Sequence, residues 1–268
     1  MKTYKRVLCI AGSDSSAGAG IQADLKTVSS LGCYGMTVIT AVTSQNTQGV
    51  TAVSAVPPDC IASQMTAVIE DIGADAVKIG MLFSPEAIQA VSTLLHKYDL
   101  PNVILDPVMA SQSGSALLQA DAVAQLRSVL IKEVDLLMPN LPEAEILLGR
   151  KISGREEMQQ AAEELSEMGC DNILLKAGHA DGEDTTDLLY LGRPGRCIPL
   201  EGQRIATVND HGTGCTLSSA VASFLARGMN LEEAVRSAKQ YLVQALAAGT
   251  GYTIGKGRGP LHHFYRFW

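Results

Sequence analysis

Several features that would point this chain elsewhere are missing. No apolar stretch is long and unbroken enough to span a bilayer, so no membrane partner is expected. Met1-Lys2-Thr3-Tyr4-Lys5-Arg6-Val7 leads straight into a short apolar strand, with no apolar signal region and small-residue cleavage site, so no signal peptide is expected. No run of Lys or Arg is dense enough for a nucleic-acid surface, and the net charge of −7 argues the same way. The six cysteines (Cys9, Cys33, Cys60, Cys170, Cys197, Cys215) are scattered and form no C-x-x-C. They read as reduced thiols of a cytoplasmic protein, five of them small core residues. No linker, charge block, repeat or low-complexity segment divides the 268 residues, so a single domain over 1–268 is expected.

What is present is a rhythm of strand, turn and helix. Short apolar runs predict strands at Val7–Ala11, Met36–Val42, Ala76–Ile79, Val103–Leu105, Leu136–Met138 and Ile173–Leu175. Helical periodicity predicts helices at Gly20–Ser30, Ile61–Ile69, Pro85–Leu95, Asp121–Ile131 and Glu156–Met168. Thr186–Leu191 and Gly195–Leu200 read as a late hairpin. Helices Gly214–Arg227 and Leu231–Ala247 follow, with Gly228 as a stop and Asn230 as a cap. Continuous apolar strands between helices indicate an α/β fold whose parallel sheet is buried on both faces. In such sheets ligands bind beyond the carboxyl ends of the strands. The polar, glycine-rich segments fall there: 12–20, 44–47, 80–82, 106–109, 140–143 and 176–179.

The most informative segment is Asn209-Asp210-His211-Gly212-Thr213-Gly214-Cys215-Thr216, ahead of a small-residue helix. Two glycines let the backbone curl, and the helix start leaves amides pointing forward, which makes a cradle for phosphate-like charge. A thiol at a helix N-terminus ionises more easily than a free one, so Cys215 is a candidate base. Cradle and base together suggest phosphoryl transfer.

Other segments carry two readings each. Gly18-Ala19-Gly20-Ile21-Gln22-Ala23 matches G-x-G-x-x-A, yet the next strand ends Thr43-Ser44-Gln45-Asn46 without the acid that holds a ribose. An NAD-dependent oxidoreductase is therefore one alternative, and a tight turn close to a ligand the other. Asp24 is either a first-turn charge or a carboxylate at a pocket wall. The Gln45 amide is a turn residue or a reader of a ring nitrogen and an exocyclic amine. Asn140-Leu141-Pro142-Glu143 is a capping box, or the pair Asn140 and Glu143 organises Mg²⁺ through waters. Asp106, directly after a strand, would hold metal or shape a phosphate site, and Lys176 would meet a phosphate or stay solvated. Cys215 with His211 admits a Cys–His hydrolase, though no orienting third residue can be named. His262-His263 read as tail packing rather than metal ligands.

Together these segments resemble the hydroxymethylpyrimidine/phosphomethylpyrimidine kinases of thiamine biosynthesis, within the ribokinase-like superfamily. The likeness rests on Ala11-Gly12-Ser13-Asp14, the stretch Gly18 to Thr27, Gln45-Asn46-Thr47, Lys78-Ile79-Gly80-Met81-Leu82, and Leu105-Asp106-Pro107-Val108-Met109. Pro139-Asn140-Leu141-Pro142-Glu143-Ala144, His211 to Ser218, and Gly259-Pro260-Leu261-His262-His263 extend it over nearly the whole chain. The resemblance implies a three-layer α/β/α ribokinase-like fold with a mostly parallel central sheet. It implies ATP- and Mg²⁺-dependent phosphorylation of 4-amino-5-hydroxymethyl-2-methylpyrimidine and then of its monophosphate. By similarity, Gly12, Asp24, Gln45, Met81 and Val108 would face the pyrimidine. Gly212, Thr213, Gly214 and Cys215 would form the anion hole, with Cys215 as base. Asp106, Lys176 and Thr213 would sit near ATP phosphates, and Asn140 and Glu143 match the N-x-x-E motif tied to Mg²⁺. A cytoplasmic homodimer is expected, and a pyridoxal kinase is the rival within the fold. Two departures stand out: Asp210 replaces the Thr expected before His211, and Ala177 replaces the usual Gly after Lys176.

Overall fold

A computed structural model of the chain describes every residue except 1, 111–113, 115, 116, 120, 179–185 and 203. His179, the end of the expected 176–179 segment, lies outside the described residues. The described strands form one nine-stranded sheet in the order β3-β2-β1-β4-β5-β6-β7-β8-β9. Strands β1 (Arg6–Asp14), β2 (Tyr34–Asn46), β4 (Ala76–Ile79), β5 (Val103–Leu105), β6 (Leu136–Leu137) and β7 (Asn172–Leu175) run parallel. Antiparallel partners close the two edges: β3 (Gly49–Ala55) beside β2, and the hairpin β8 (Asp187–Leu191) and β9 (Arg196–Leu200) beside β7.

The layers follow from the alternation of side chains along each strand. Leu8 and Ile10 of β1 join Val77, Ile79, Val103 and Leu105 under α2 (Pro58–Asp71), α3 (Pro85–Tyr98) and α6 (Gly154–Ser166). Val7 and Cys9 join Ile104, Leu136 and Leu174 under α1 (Gly20–Ser30), α7 (Thr213–Ala226) and α8 (Leu231–Gly249). The result is the expected α/β/α sandwich. Among the described residues no helix is long and apolar enough to cross a membrane.

Some boundaries differ from expectation, each for a physical reason. Strand β1 passes Ala11 and keeps pairing with β2 as far as Asp14, across a register shift between Ala11 and Ser13. Residues Gly12 to Asp14 are thus strand, not loop. Strand β2 likewise absorbs 44–46, because β3 pairs with it. Strand β3 carries no apolar run because this edge strand is half-exposed or exposed throughout. Helix α4 (Ala122–Gln125) is followed by a π-turn at Leu126–Leu130 and a 3₁₀ turn at Ile131–Glu133, in place of one continuous helix. Gly228 (φ +91°) and Asn230, whose side chain accepts from the Glu233 amide, do separate α7 from α8. Cys60 is exposed and Cys197 is half-buried, so fewer cysteines than expected are core residues.

Strand β1 lies between β2 and β4, so the chain order reverses at its carboxyl end. That switch point opens a crevice at the sheet edge. The carboxyl ends of β1, β2, β4, β5, β6 and β7 all face it.

Candidate active site

A cavity of about 940 Å³ occupies that crevice. Helix α7 starts at its floor. Its cap residue Gly212 has φ +87°, and a Cβ there would fall 1.9 Å from the Gly18 carbonyl oxygen, so only glycine fits. The first-turn residues Thr213, Gly214 and Cys215 line the cavity. Along α7, buried serines return their hydroxyls to the helix: Ser218 to Gly214 O and Ser223 to Ser219 O. Small residues let α7 sit close beneath the sheet, with Ser218, Ser219, Ala220, Val221 and Ala222 all fully buried.

Gly12, Gln45, Met81 and Val108 line the same cavity. A Cβ on Gly12 would meet the Met81 sulfur at 2.9 Å, so these two shape each other. Asp24 is not at the cavity wall, contrary to the expectation that it faces the ring. Its side chain is fully buried and its carboxylate accepts from Lys78 Nζ at 2.8 and 2.9 Å and from Ser219 Oγ at 2.7 Å. Burial opposes the Lys78 charge, but Asp24, Cys215 and Asp106 outweigh it and raise the lysine. Lys78 was not singled out for a role from the sequence.

Beside Gly214, Lys176 Nζ donates to Asp106 Oδ1 at 2.5 Å, and Ser218 Oγ lies 3.3 Å from Asp106 Oδ2. Asn140 and Glu143 form the capping box of α5 (Leu141–Leu148): each side chain accepts from the other's amide at 2.8 Å. Glu143 nevertheless lines the cavity. Burial pushes its carboxyl up to about 7, opposed by Lys176 and reinforced by Asp106. Two carboxylates therefore share one lysine. Among the described residues no group of three or more His, Cys, Asp or Glu is placed to hold a metal by itself.

Burial pushes the Cys215 thiol up to about 11. Lys78 and the Gly20 amide favour the thiolate, and Asp24 and Asp106 oppose it. The easily ionised thiol expected from a helix N-terminus is thus not present in the ligand-free protein. The helix-start effect is overridden by burial among carboxylates.

Two alternatives lose their geometric basis. A Cβ on Gly18 would lie 2.2 Å from His211 Cδ2, so the histidine fills the space a pyrophosphate would need over the glycine turn. The His211 Nε2 is directed at Asp14 Oδ2, 2.9 Å away, and so is engaged away from Cys215. Asp210, the unexpected acid, pairs with the Arg258 guanidinium, whose Nε donates at 2.8 Å. His263 is buried, bonded through Nε2 to Thr216 Oγ1, and held by burial at about 3, a packing role.

Forward-pointing α7 amides and cavity-lining carboxylates meet at one sheet edge, an arrangement suited to the class of α/β phosphotransferases. Comparison with known proteins narrows the class. The family model described as phosphomethylpyrimidine kinase matches residues 14–262. A hydroxymethylpyrimidine/phosphomethylpyrimidine kinase of Rhizobium meliloti (strain 1021) is 50% identical over 262 residues, covering 97% of each chain. The crystal structure of a phosphomethylpyrimidine kinase from Clostridium difficile 630 is 44% identical with a TM-score of 0.80, over 90% of this chain and 98% of that one. A Staphylococcus aureus pyridoxal kinase, solved with AMP-PCP and pyridoxal, is 32% identical with a TM-score of 0.89, over 98% and 95%. The chain belongs to the phosphomethylpyrimidine kinase family.

Proposed function

We propose that this chain transfers the γ-phosphoryl group of ATP to the hydroxymethyl arm of 4-amino-5-hydroxymethyl-2-methylpyrimidine, and then phosphorylates the resulting monophosphate. One observation carries the reading: the Gly212–Gly214 helix start, Cys215 and the Asp106–Glu143–Lys176 cluster open into one cavity that Gly12, Gln45, Met81 and Val108 also line. Phosphoryl transfer needs in-line positioning and neutralised charge more than covalent chemistry. The α7 amides, with Thr213, would receive the transferred group, and Lys176 and Asp106 would lie against the ATP phosphates. Gln45 would read the ring.

Cys215 stands at the mouth of the cradle and would take the hydroxyl proton. Its thiol must first lose its own proton, so the ligand-free enzyme holds it in reserve. Lys78 and the Gly20 amide lie on the side that favours the thiolate. The donor set also fits Mg²⁺. Asp106 and Glu143 offer hard oxygen donors, and burial, reinforced by Asp106 and opposed by Lys176, leaves Glu143 with affinity for a proton near neutral pH. Asp106 and Glu143, with Asn140 through water, would hold the ion, which when bound neutralises charge on the phosphate oxygens. The proposal includes the cytoplasmic homodimer expected from the sequence, which sedimentation of the purified protein would test.

Pyridoxal phosphorylation is a second reading, favoured by the TM-score of 0.89 to a pyridoxal kinase. Release of ADP from ATP with the pyrimidine alcohol, its monophosphate and pyridoxal separates the two. The expected result is turnover on both pyrimidines, abolished by chelating Mg²⁺. Turnover on pyridoxal alone would overturn the first reading.

A further inference from the structure

The groups around Gln45 form a closed hydrogen-bond chain, and counting its hydrogens gives a result that the ring-reading role of Gln45 does not supply. Asp14 accepts from Ser16 N at 2.8 Å and Ser16 Oγ at 2.7 Å on one oxygen. On the other it accepts from Gly18 N at 3.1 Å, Ala19 N at 2.8 Å and His211 Nε2 at 2.9 Å. With donors on every side, Asp14 can only accept. Burial would raise its carboxyl, but His211, Ser16 and the loop amides outweigh that and hold it down at about 2. His211 Nε2 must therefore carry a hydrogen, in either charge state of the ring.

The second neighbour of that nitrogen is the Gln45 amide. One amide orientation puts Nε2 at 3.1 Å from His211 Nε2 and Oε1 at 3.1 Å from Thr43 Oγ1. It sets N–H against N–H. It also asks one Thr43 hydrogen to serve both Gln45 and the Ser13 carbonyl, 2.9 Å away. Turning the amide by 180° removes the N–H against N–H contact and releases the Thr43 hydrogen, while the single His211 Nε2 hydrogen, directed at Asp14 Oδ2, is shared with the Gln45 oxygen. Oε1 then accepts from His211 Nε2, Nε2 donates to Thr43 Oγ1, and Thr43 donates to Ser13 O. One lone pair on Oε1 and one hydrogen on Nε2 are left over.

We propose that the Asp14–His211 pair fixes which way round the Gln45 amide faces the cavity, so that the site reads an amidine edge. The substrate class is a ring with an exocyclic amine beside an unprotonated ring nitrogen. The amine donates to Oε1 on the His211 side, and the ring nitrogen accepts from Nε2 on the Thr43 side. A 4-oxo ring, with an acceptor beside N–H, presents the reverse pattern and meets two mismatches. His211 and Thr43 are positioning residues that act through Gln45, and the inference rests on Gln45 being the ring reader.

The experiment is kcat/KM for the 4-amino-5-hydroxymethyl pyrimidine against its 4-oxo analogue. The wild type is expected to favour the amino ring by at least about 10²-fold, since buried polar groups left mispaired reject a ligand strongly. His211→Phe frees the amide to turn and drops that ratio at least about tenfold, and His211→Gln, which keeps a donor at the same reach, preserves it. A purely structural effect would lower both rates and leave the ratio alone. If His211→Phe does not fold, Thr43→Val, which keeps the shape but removes the acceptor, decides: a lowered ratio supports the proposal and an unchanged one overturns it. Gln45→Ala separates the layers. A ratio that survives Gln45→Ala removes Gln45 as the reader. A ratio lost in Gln45→Ala but kept in His211→Phe overturns the orienting pair alone.

Discussion

Two lysines sit at the carboxyl ends of strands in the same sheet and meet opposite circumstances. Lys78, in β4, is sealed: it and Asp24 are both fully buried, bonded twice to each other, with Ser219 completing the carboxylate. Lys176, just past β7, keeps 12% of its side chain exposed, is bonded directly to Asp106 and feels the charge of Glu143 as well. The first cluster is neutral and closed to solvent, and it joins α1, β4 and α7 into one unit behind Cys215. The second carries one carboxylate too many and an open side. A sealed, charge-balanced pair suits holding the frame, and an open cluster with surplus negative charge suits binding a cation.

The largest expected effect tests the sealed pair. Lys78→Met leaves the Asp24 carboxylate buried without its counter-charge and should cost about 3–5 kcal/mol in denaturant titration. Wild-type stability in that variant would break the contrast. Lys176→Met should cost less stability, because Glu143, already at about 7, can take up a proton in compensation. Turnover should nevertheless fall by roughly 10²-fold, the scale of a lost charge-stabilising contact. Equal stability losses in the two variants would erase the distinction.

The surplus carboxylate also sets a pH dependence. The folded Glu143 carboxyl lies above its ordinary value of 4.5, so the folded state binds the proton more tightly. Its contribution to stability is present at low pH and is lost as pH rises from about 4.5 to about 7. Melting of the ligand-free protein should show this loss, Mg²⁺ should restore more at pH 8 than at pH 5, and Glu143→Gln should remove the dependence. The smallest effect concerns Asp210. Its pairing with half-exposed Arg258 makes the extra acid nearly harmless, so Arg258→Ala should cost only about 0.2–1 kcal/mol. A several-fold weaker ATP affinity would show the uncovered charge.

The layers of the fold were legible because strands such as Val103–Leu105 and Ile173–Leu175 are short apolar runs between periodic helices. Strand β3 was not, because an edge strand that stays half-exposed or exposed carries no apolar run. The start of α7 was legible because Gly212 and Gly214 flank it. Asp24 was misplaced for an instructive reason: sequence showed a carboxylate one turn into a helix but not the lysine opposite. The only written clue is Lys78 itself, a charge inside the apolar strand Ala76-Val77-Lys78-Ile79. The Asp14–His211–Gln45 chain joins residues from three distant segments and exists only once the sheet has formed. The Cys215 thiol shows the same limit, since a helix start is local but the burying carboxylates are tertiary.

One measurement tests the central claim most directly: single-turnover phosphoryl transfer from γ-labelled ATP to the pyrimidine alcohol by Cys215→Ala. The account predicts a transfer rate lowered roughly 10²–10⁴-fold with substrate affinity changed only a few-fold. A transfer rate equal to the wild type would remove the sulfur at the mouth of the cradle from the chemistry.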